Sequence, residues 1–146
     1  MDAYEFLRLA HGLLQKINDE AALRTSVSRG YFSCFNHIHE FIAGLGFYFP
    51  RTADKHKLVV QDLINCGIKD AAILASDLED LRSERNDADY EMALDKFCPN
   101  YANGIYVKAC SVYRDFDKLT GSSEERKKLK RGITEYRVKI RRPVAT

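Results

Sequence analysis

The sequence predicts an all-α fold: an antiparallel helical bundle of about five helices, followed by a short basic C-terminal extension that carries a strand pattern. Three observations lead there. Apolar residues recur every three or four positions over five separate stretches, the period of a helix with one buried face. The breaks between those stretches are short, which sets successive helices antiparallel. Only one segment, near the C-terminus, alternates with a period of two. The expected organisation is a single bundle domain over residues 1–120 with residues 121–146 as the extension.

The first helix is expected over residues 3–17, with Phe6, Leu9, Ala10, Leu13, Leu14 and Ile17 on one face. A long second helix follows over 20–45, carrying Leu23, Val27, Tyr31, Cys34, Ile38, Phe41 and Leu45. Asp19 is its expected N-cap and Gly46 its stop. Arg29, Ser33, Asn36 and Glu40 form a polar line on its other flank. With Phe32 and Phe35 beside it, that line either meets solvent or faces another helix or a second subunit. Pro50 cannot continue a helix, so a third is expected over 54–66, closed by Gly67.

Asp70 is the expected cap of a fourth helix that ends near Met92. Residues 95–103, with Pro99, Asn100 and Asn103, read as a loop exposing Phe97 and Cys98. A fifth helix over 104–119 carries Ile105, Ala109, Val112, Tyr113 and Phe116. Ser122 or Ser123 can then cap a short charged helix to about Arg131, which Gly132 breaks. From Ile133 to Ile140, Thr134, Tyr136, Val138 and Ile140 alternate with Glu135, Arg137 and Lys139. A lone strand must pair with another chain, dock on the body or remain disordered.

Composition narrows the function classes. Hydrophobic residues make up 45% of the chain and charged ones 30%, the balance of a soluble globular protein. No run approaches the roughly 18 apolar residues of a membrane span. Asp2, Glu5 and Arg8 interrupt any signal-peptide pattern, so a cytoplasmic location is expected. Cys34, Cys66, Cys98 and Cys110 are dispersed and form no C-x-x-C pair, which suits reduced thiols. His37-Ile38-His39-Glu40 lacks the i, i+4 histidine spacing of a helical zinc site, so neither metal nor cofactor is expected. Charge is uneven: residues 121–146 hold 9 Lys and Arg against 3 acids, while 1–120 hold 14 against 18. A basic end of this kind can attract phosphates, contact the acidic body or stay solvated.

The fourth helix holds the candidate site. Leu74, Leu78, Leu81, Ala88 and Met92 follow one face, and Arg85 falls in the gap of that stripe. A guanidinium cannot shed its charge, so it needs an acceptor, a partner chain or a ligand. Arg82 precedes it by three positions, Asp89 follows by four, and Asn86 and Tyr90 project from the adjoining flank. An arginine with a carboxamide, a carboxylate and a phenol suits a phosphate or nucleotide: Arg forks onto two oxygens and Asp can accept a hydroxyl proton. The same spacing also permits a purely structural pair of Arg85 with Asp89.

Two blocks carry a family resemblance. Residues 23–36, Leu-Arg-Thr-Ser-Val-Ser-Arg-Gly-Tyr-Phe-Ser-Cys-Phe-Asn, resemble the second-helix signature of HEPN domains. Residues 81–90, Leu-Arg-Ser-Glu-Arg-Asn-Asp-Ala-Asp-Tyr, resemble the Arg-Asn-x-Ala-Asp-Tyr block of one branch of that family. The resemblance covers residues 3–119 in helix order. It implies a helical homodimer in which two arginine motifs share a cleft, acting on RNA. The activity it implies is that of a metal-independent endoribonuclease in a toxin–antitoxin or defence system, paired with a nucleotidyltransferase-type antitoxin. Carried over, Arg85, Asn86, Asp89 and Tyr90 become the catalytic candidates, with Arg82 and Arg29 binding substrate. One departure matters: five residues after Arg85 stands Tyr90 where the family's nucleases carry histidine, and no histidine follows His56. A phenol with a pKa near about 10 is a poor base at neutral pH. A non-catalytic module that binds nucleotide, RNA or protein is therefore the other expectation.

Overall fold

A computed structural model describes residues 1–140 and is all-helical; among these residues there is no strand. The elements are α1 (Tyr4–Leu13), α2 (Glu20–Gly44), α3 (Lys55–Asn65), α4 (Lys69–Tyr90), α5 (Pro99–Leu119) and α6 (Ser123–Lys139). The last part of the expected extension, 141–146, lies outside the described residues. No described helix is long and apolar enough to cross a membrane.

Contacts divide the chain into two compact units. The first comprises Met1–His37 and Asp77–Tyr113, the second Ile38–Ser76 and Arg114 onward, so that α2, α4 and α5 each contribute a segment to both.

In the first unit, Leu14, Leu23, Val27, Ala88, Phe97 and Ala102 form one core cluster. Small residues let the helices approach closely. The Gly30 backbone leaves only enough room for a Cβ 3.3 Å from that of Ala109, and the Cys34 thiol donates to the Ala109 carbonyl at 3.1 Å. Ser26 and Ser33 donate to the carbonyls of Ala10 and Ala3, at 2.8 and 2.9 Å, and so fasten α1 onto α2. The buried side of α1 is Ala3, Leu7, Ala10 and Leu14, not the expected face: Leu9 and Ile17 are exposed, and the helix stops four residues early. Ser33, one of the polar line, is buried against α1.

Two boundaries in this unit are corrected. Residues 99–103 belong to α5, because a proline at the first position of a helix loses no hydrogen bond there. Phe97 is buried, not displayed by a loop: it packs in the core cluster under the Arg24 guanidinium, 4.7 Å from the ring centroid.

In the second unit α6 packs on α3. The expected short helix, the break at Gly132 and the strand over 133–140 are replaced by one continuous helix. Its buried residues Leu129, Ile133 and Arg137 recur at intervals of four, while Val138 and Ile140 are exposed. Gly132 is a contact point and not a break, since a Cβ there would overlap the Cys66 carbonyl oxygen. Arg137 is fully buried: Nε and Nη2 reach the two carboxylate oxygens of Asp62 at 3.1 and 2.6 Å, and Nη1 donates to the Tyr48 carbonyl at 2.7 Å. The guanidinium also lies 5.1 Å from the Phe47 ring and 4.7 Å from Phe49. The expected caps and stops hold at four places. Asp19 accepts from the Ala22 amide, Ser122 accepts from the Glu125 amide, and Gly46 and Gly67 take the left-handed conformation just beyond the ends of α2 and α3. Asp70 sits within the first turn of α4 and not before it.

Candidate functional site

Arg85, Asn86, Asp89 and Tyr90 of the fourth helix come together in the first unit with Ser28, Arg29 and Phe32 of α2. Leu74, Leu78, Leu81 and Ala88 are buried as their spacing requires, and Arg85 lies at the edge of that stripe with its side chain 20% exposed. Met92 lies beyond the helix end and is exposed. The arginine therefore borders the core without being enclosed by it.

Its guanidinium is held on three sides. Nε stands 3.1 Å from Asp89 Oδ2, one turn along α4, and Nη1 donates to Asn86 Oδ1 at 2.8 Å. Below it lies the Phe32 ring, 4.8 Å from Cζ, and Tyr90 stands 5.6 Å away on the same helix. The Nε contact is an ion pair without hydrogen-bond alignment, so the buried N–H has no acceptor in line with it among the described residues. Tyr90 is 67% exposed, which leaves the face of the site open to solvent.

Arg29 joins from α2. Its Cζ lies 4.9 Å from the Phe32 ring and 5.4 Å from Phe6, and Nη2 donates to Ser28 Oγ at 3.4 Å. Ser28 in turn donates to Asp89 Oδ2 at 3.1 Å. Two guanidiniums therefore share one aromatic ring and converge, directly or through Ser28, on one carboxylate. Such stacking is worth about 0.5–2 kcal/mol per contact and holds the charge in place without spending its donors. Arg82 stands apart, 3.9 Å from Glu79 on the more exposed flank of α4. The Tyr31 phenol is buried near both α4 arginines. Burial pushes its pKa far above the usual value, and the charges of Arg82 and Arg85 pull the other way.

The sequence-derived set is thus brought together except for Arg82. Missing from that set were Ser28 and Phe32, which join the two arginines. Both lie in the 23–36 block, and the alternation of Ser28, Arg29 and Phe32 around one turn was the available signal.

Two neighbouring networks explain charges that have no role at the site. Arg24, buried and unnoticed in the sequence, donates to the carbonyls of Asp87, Ala88, Glu91, Met92 and Leu94 and pairs with Glu20 at 2.8 Å. It closes the end of α4, where carbonyls have no helical partner. Lys96 bridges Asp87 at 2.8 Å and Glu84 at 3.1 Å, while the Tyr101 hydroxyl donates to Glu84 at 2.5 Å. Burial opposes the lysine charge, but these two carboxylates outweigh it and raise its pKa.

No group of three or more potential metal ligands occurs among the described residues. In chemical terms the site offers two anchored cations, an amide and a solvent-facing phenol around a carboxylate that already receives Ser28 and Arg85. Comparison with protein-family models, with curated proteins and with solved structures finds no match for this chain.

Proposed function

We propose that the chain is an RNA-directed protein of HEPN type, acting as a homodimer, with the Arg85 site contacting the phosphate backbone. The observation that carries this is the shared stacking of Arg29 and Arg85 on Phe32 beside an exposed Tyr90. Stacked guanidiniums keep edge donors for phosphate oxygens, and an exposed phenol ring offers a platform for an unpaired base. The proposal includes the antiparallel arrangement of the first five helices and a cytoplasmic setting, both as expected from the sequence pattern. The resemblance of residues 23–36 and 81–90 supports it because those two blocks supply the stacked residues.

Cleavage is the stronger form of this reading: a metal-independent endoribonuclease of a toxin–antitoxin or defence system, held in check by a nucleotidyltransferase-type partner. Arg85 would then neutralise the scissile phosphate, Asn86 would hold Arg85, and Asp89 or Tyr90 would move the proton of the 2′-hydroxyl. The non-catalytic reading is favoured by a specific observation. Asp89 Oδ2 is engaged by both Arg85 and Ser28, which leaves the carboxylate poorly placed to act as base.

Incubation of the protein with mixed RNA in excess chelator, beside Arg85→Ala and Tyr90→Phe, separates the two. Chelator-insensitive cleavage that Arg85→Ala abolishes establishes the nuclease. RNA binding that depends on Arg85, without cleavage, establishes the module. The absence of both cleavage and Arg85-dependent binding would overturn the proposal.

A further inference from the structure

The second unit contains a cleft of about 610 Å³, within the roughly 300–1,000 Å³ range of small-molecule sites. Its walls come from the end of α2, the connection from Phe47 to Ala53 and the first residue of α3. His39, Arg51 and Lys55 supply the polar lining, Tyr48 and Phe49 the aromatic surface, and none of the ten lining residues is acidic. Glu40 and Asp54 neighbour lining residues in sequence without lining the cleft themselves, and the buried Asp62 carboxylate behind it is paired with Arg137.

The shape of this cleft is built into the unit's interior. Arg137, buried between Phe47 and Phe49 and paired with Asp62, donates to the Tyr48 carbonyl and so fixes the connection from beneath. The Phe49 ring meets His39 edge-on at 5.0 Å. Burying a guanidinium and carboxylate together gives little net stability, so an aromatic turn anchored in this way is held to one geometry more than it is stabilised. A preformed wall avoids the ordering cost that a flexible loop would meet on binding. Lys55 opens α3 with His56 and Lys57 behind it and no acid in the first turn, so the mouth of the cleft lies at the N-terminal end of that helix, where Asp54 at the N-cap is the one acid. Burial, and then the Lys55 charge, lower the pKa of His39, with Glu40 opposing.

We propose that this cleft binds a small phosphorylated ligand carrying a planar ring, of the size and charge of a mononucleotide. Arg51 and Lys55 hold the phosphate, and Tyr48 and Phe49 cover the ring. The site uses none of the residues around Arg85 and stands or falls independently of the RNA proposal.

The test is an amide-resolved NMR titration of the isotopically labelled protein with adenosine 5′-monophosphate, and in parallel with adenosine and with inorganic phosphate. Adenosine monophosphate is expected to shift amides within residues 47–55. Both single components should bind at least tenfold more weakly. The double variant Arg51→Ala, Lys55→Ala should weaken the nucleotide at least tenfold with its thermal unfolding unchanged, and Arg51→Glu should do the same. Arg85→Ala should leave the titration of these amides as it is. Absence of shifts in 47–55, an unchanged affinity in both variants, or phosphate binding as tightly as the nucleotide would overturn the proposal.

Discussion

Arg85 and Asp89 pair one turn apart on α4, Nε to Oδ2 at 3.1 Å, and the same carboxylate oxygen accepts the Ser28 hydroxyl at 3.1 Å. The Arg85 charge is therefore partly balanced within the chain itself. If Arg85 meets phosphate as proposed, Asp89 acts as a brake on anion binding as well as an anchor for the arginine.

Asp89→Asn is expected to raise affinity for single-stranded RNA a few-fold at low salt, because a carboxylate that repels phosphate is removed while the amide can still accept from Ser28. The loss of stability should stay within about 1 kcal/mol, since the pair is partly exposed. Filter binding at two salt concentrations, with urea unfolding alongside, checks both. A fall in affinity would mean that Asp89 chiefly positions Arg85.

Removing the guanidinium of Arg137 should be far more costly. Arg137→Met leaves Asp62 buried without its partner and is expected to lower unfolding free energy by about 3–5 kcal/mol. Adding Asp62→Leu should recover much of that loss. The urea midpoints of the two variants and the wild type form the comparison, and a double variant no more stable than Arg137→Met would contradict it.

Gly132→Ala forces a methyl group against the Cys66 carbonyl and should cost about 1–3 kcal/mol by prising α6 from α3. Gly104→Ala is the control. It lies within α5 with nothing near its missing Cβ, so the change should stabilise by up to about 1 kcal/mol. Thermal melts of both variants should move in opposite directions.

These glycines show how much was legible in the sequence. Periodicity placed α2, α3 and α4 to within a few residues, because each carries a long apolar stripe and an identifiable cap or stop. It failed at α6, where residues 133–140 also satisfy a period of two. The helical stripe there runs Leu129, Ile133, Arg137, but the period of two sets Arg137 with Glu135 and Lys139 on a polar face, and only its partner Asp62, 75 positions earlier, places it inside. Arg24 is hidden for a different reason: the sequence marks its i, i+4 pairing with Glu20 but not the five backbone carbonyls that bury it. Arg85 was the charge that stood out, yet it is less buried than either.

His39 should make stability sensitive to acid. Burial, and then the Lys55 ammonium, hold its pKa below the usual value, with Glu40 opposing. As pH falls through about 6.5 the unfolded chain takes up this proton before the folded one, so folding stability declines. His39→Gln should lose less stability than the wild type between pH 7.5 and 5.5, as measured by urea unfolding. Equal losses would show that His39 is not the source.

On the proposed reading, Arg85 is held for a phosphate ligand and not for the fold. The direct measurement is the dissociation constant for a mixed-sequence single-stranded RNA, taken for wild type and Arg85→Ala in chelator, with thermal unfolding of the same samples. Arg85→Ala is expected to lose affinity at least tenfold, with its melting temperature shifted by no more than a few degrees. Unchanged affinity with a large drop in melting temperature would contradict it and make the arginine a structural pair of Asp89.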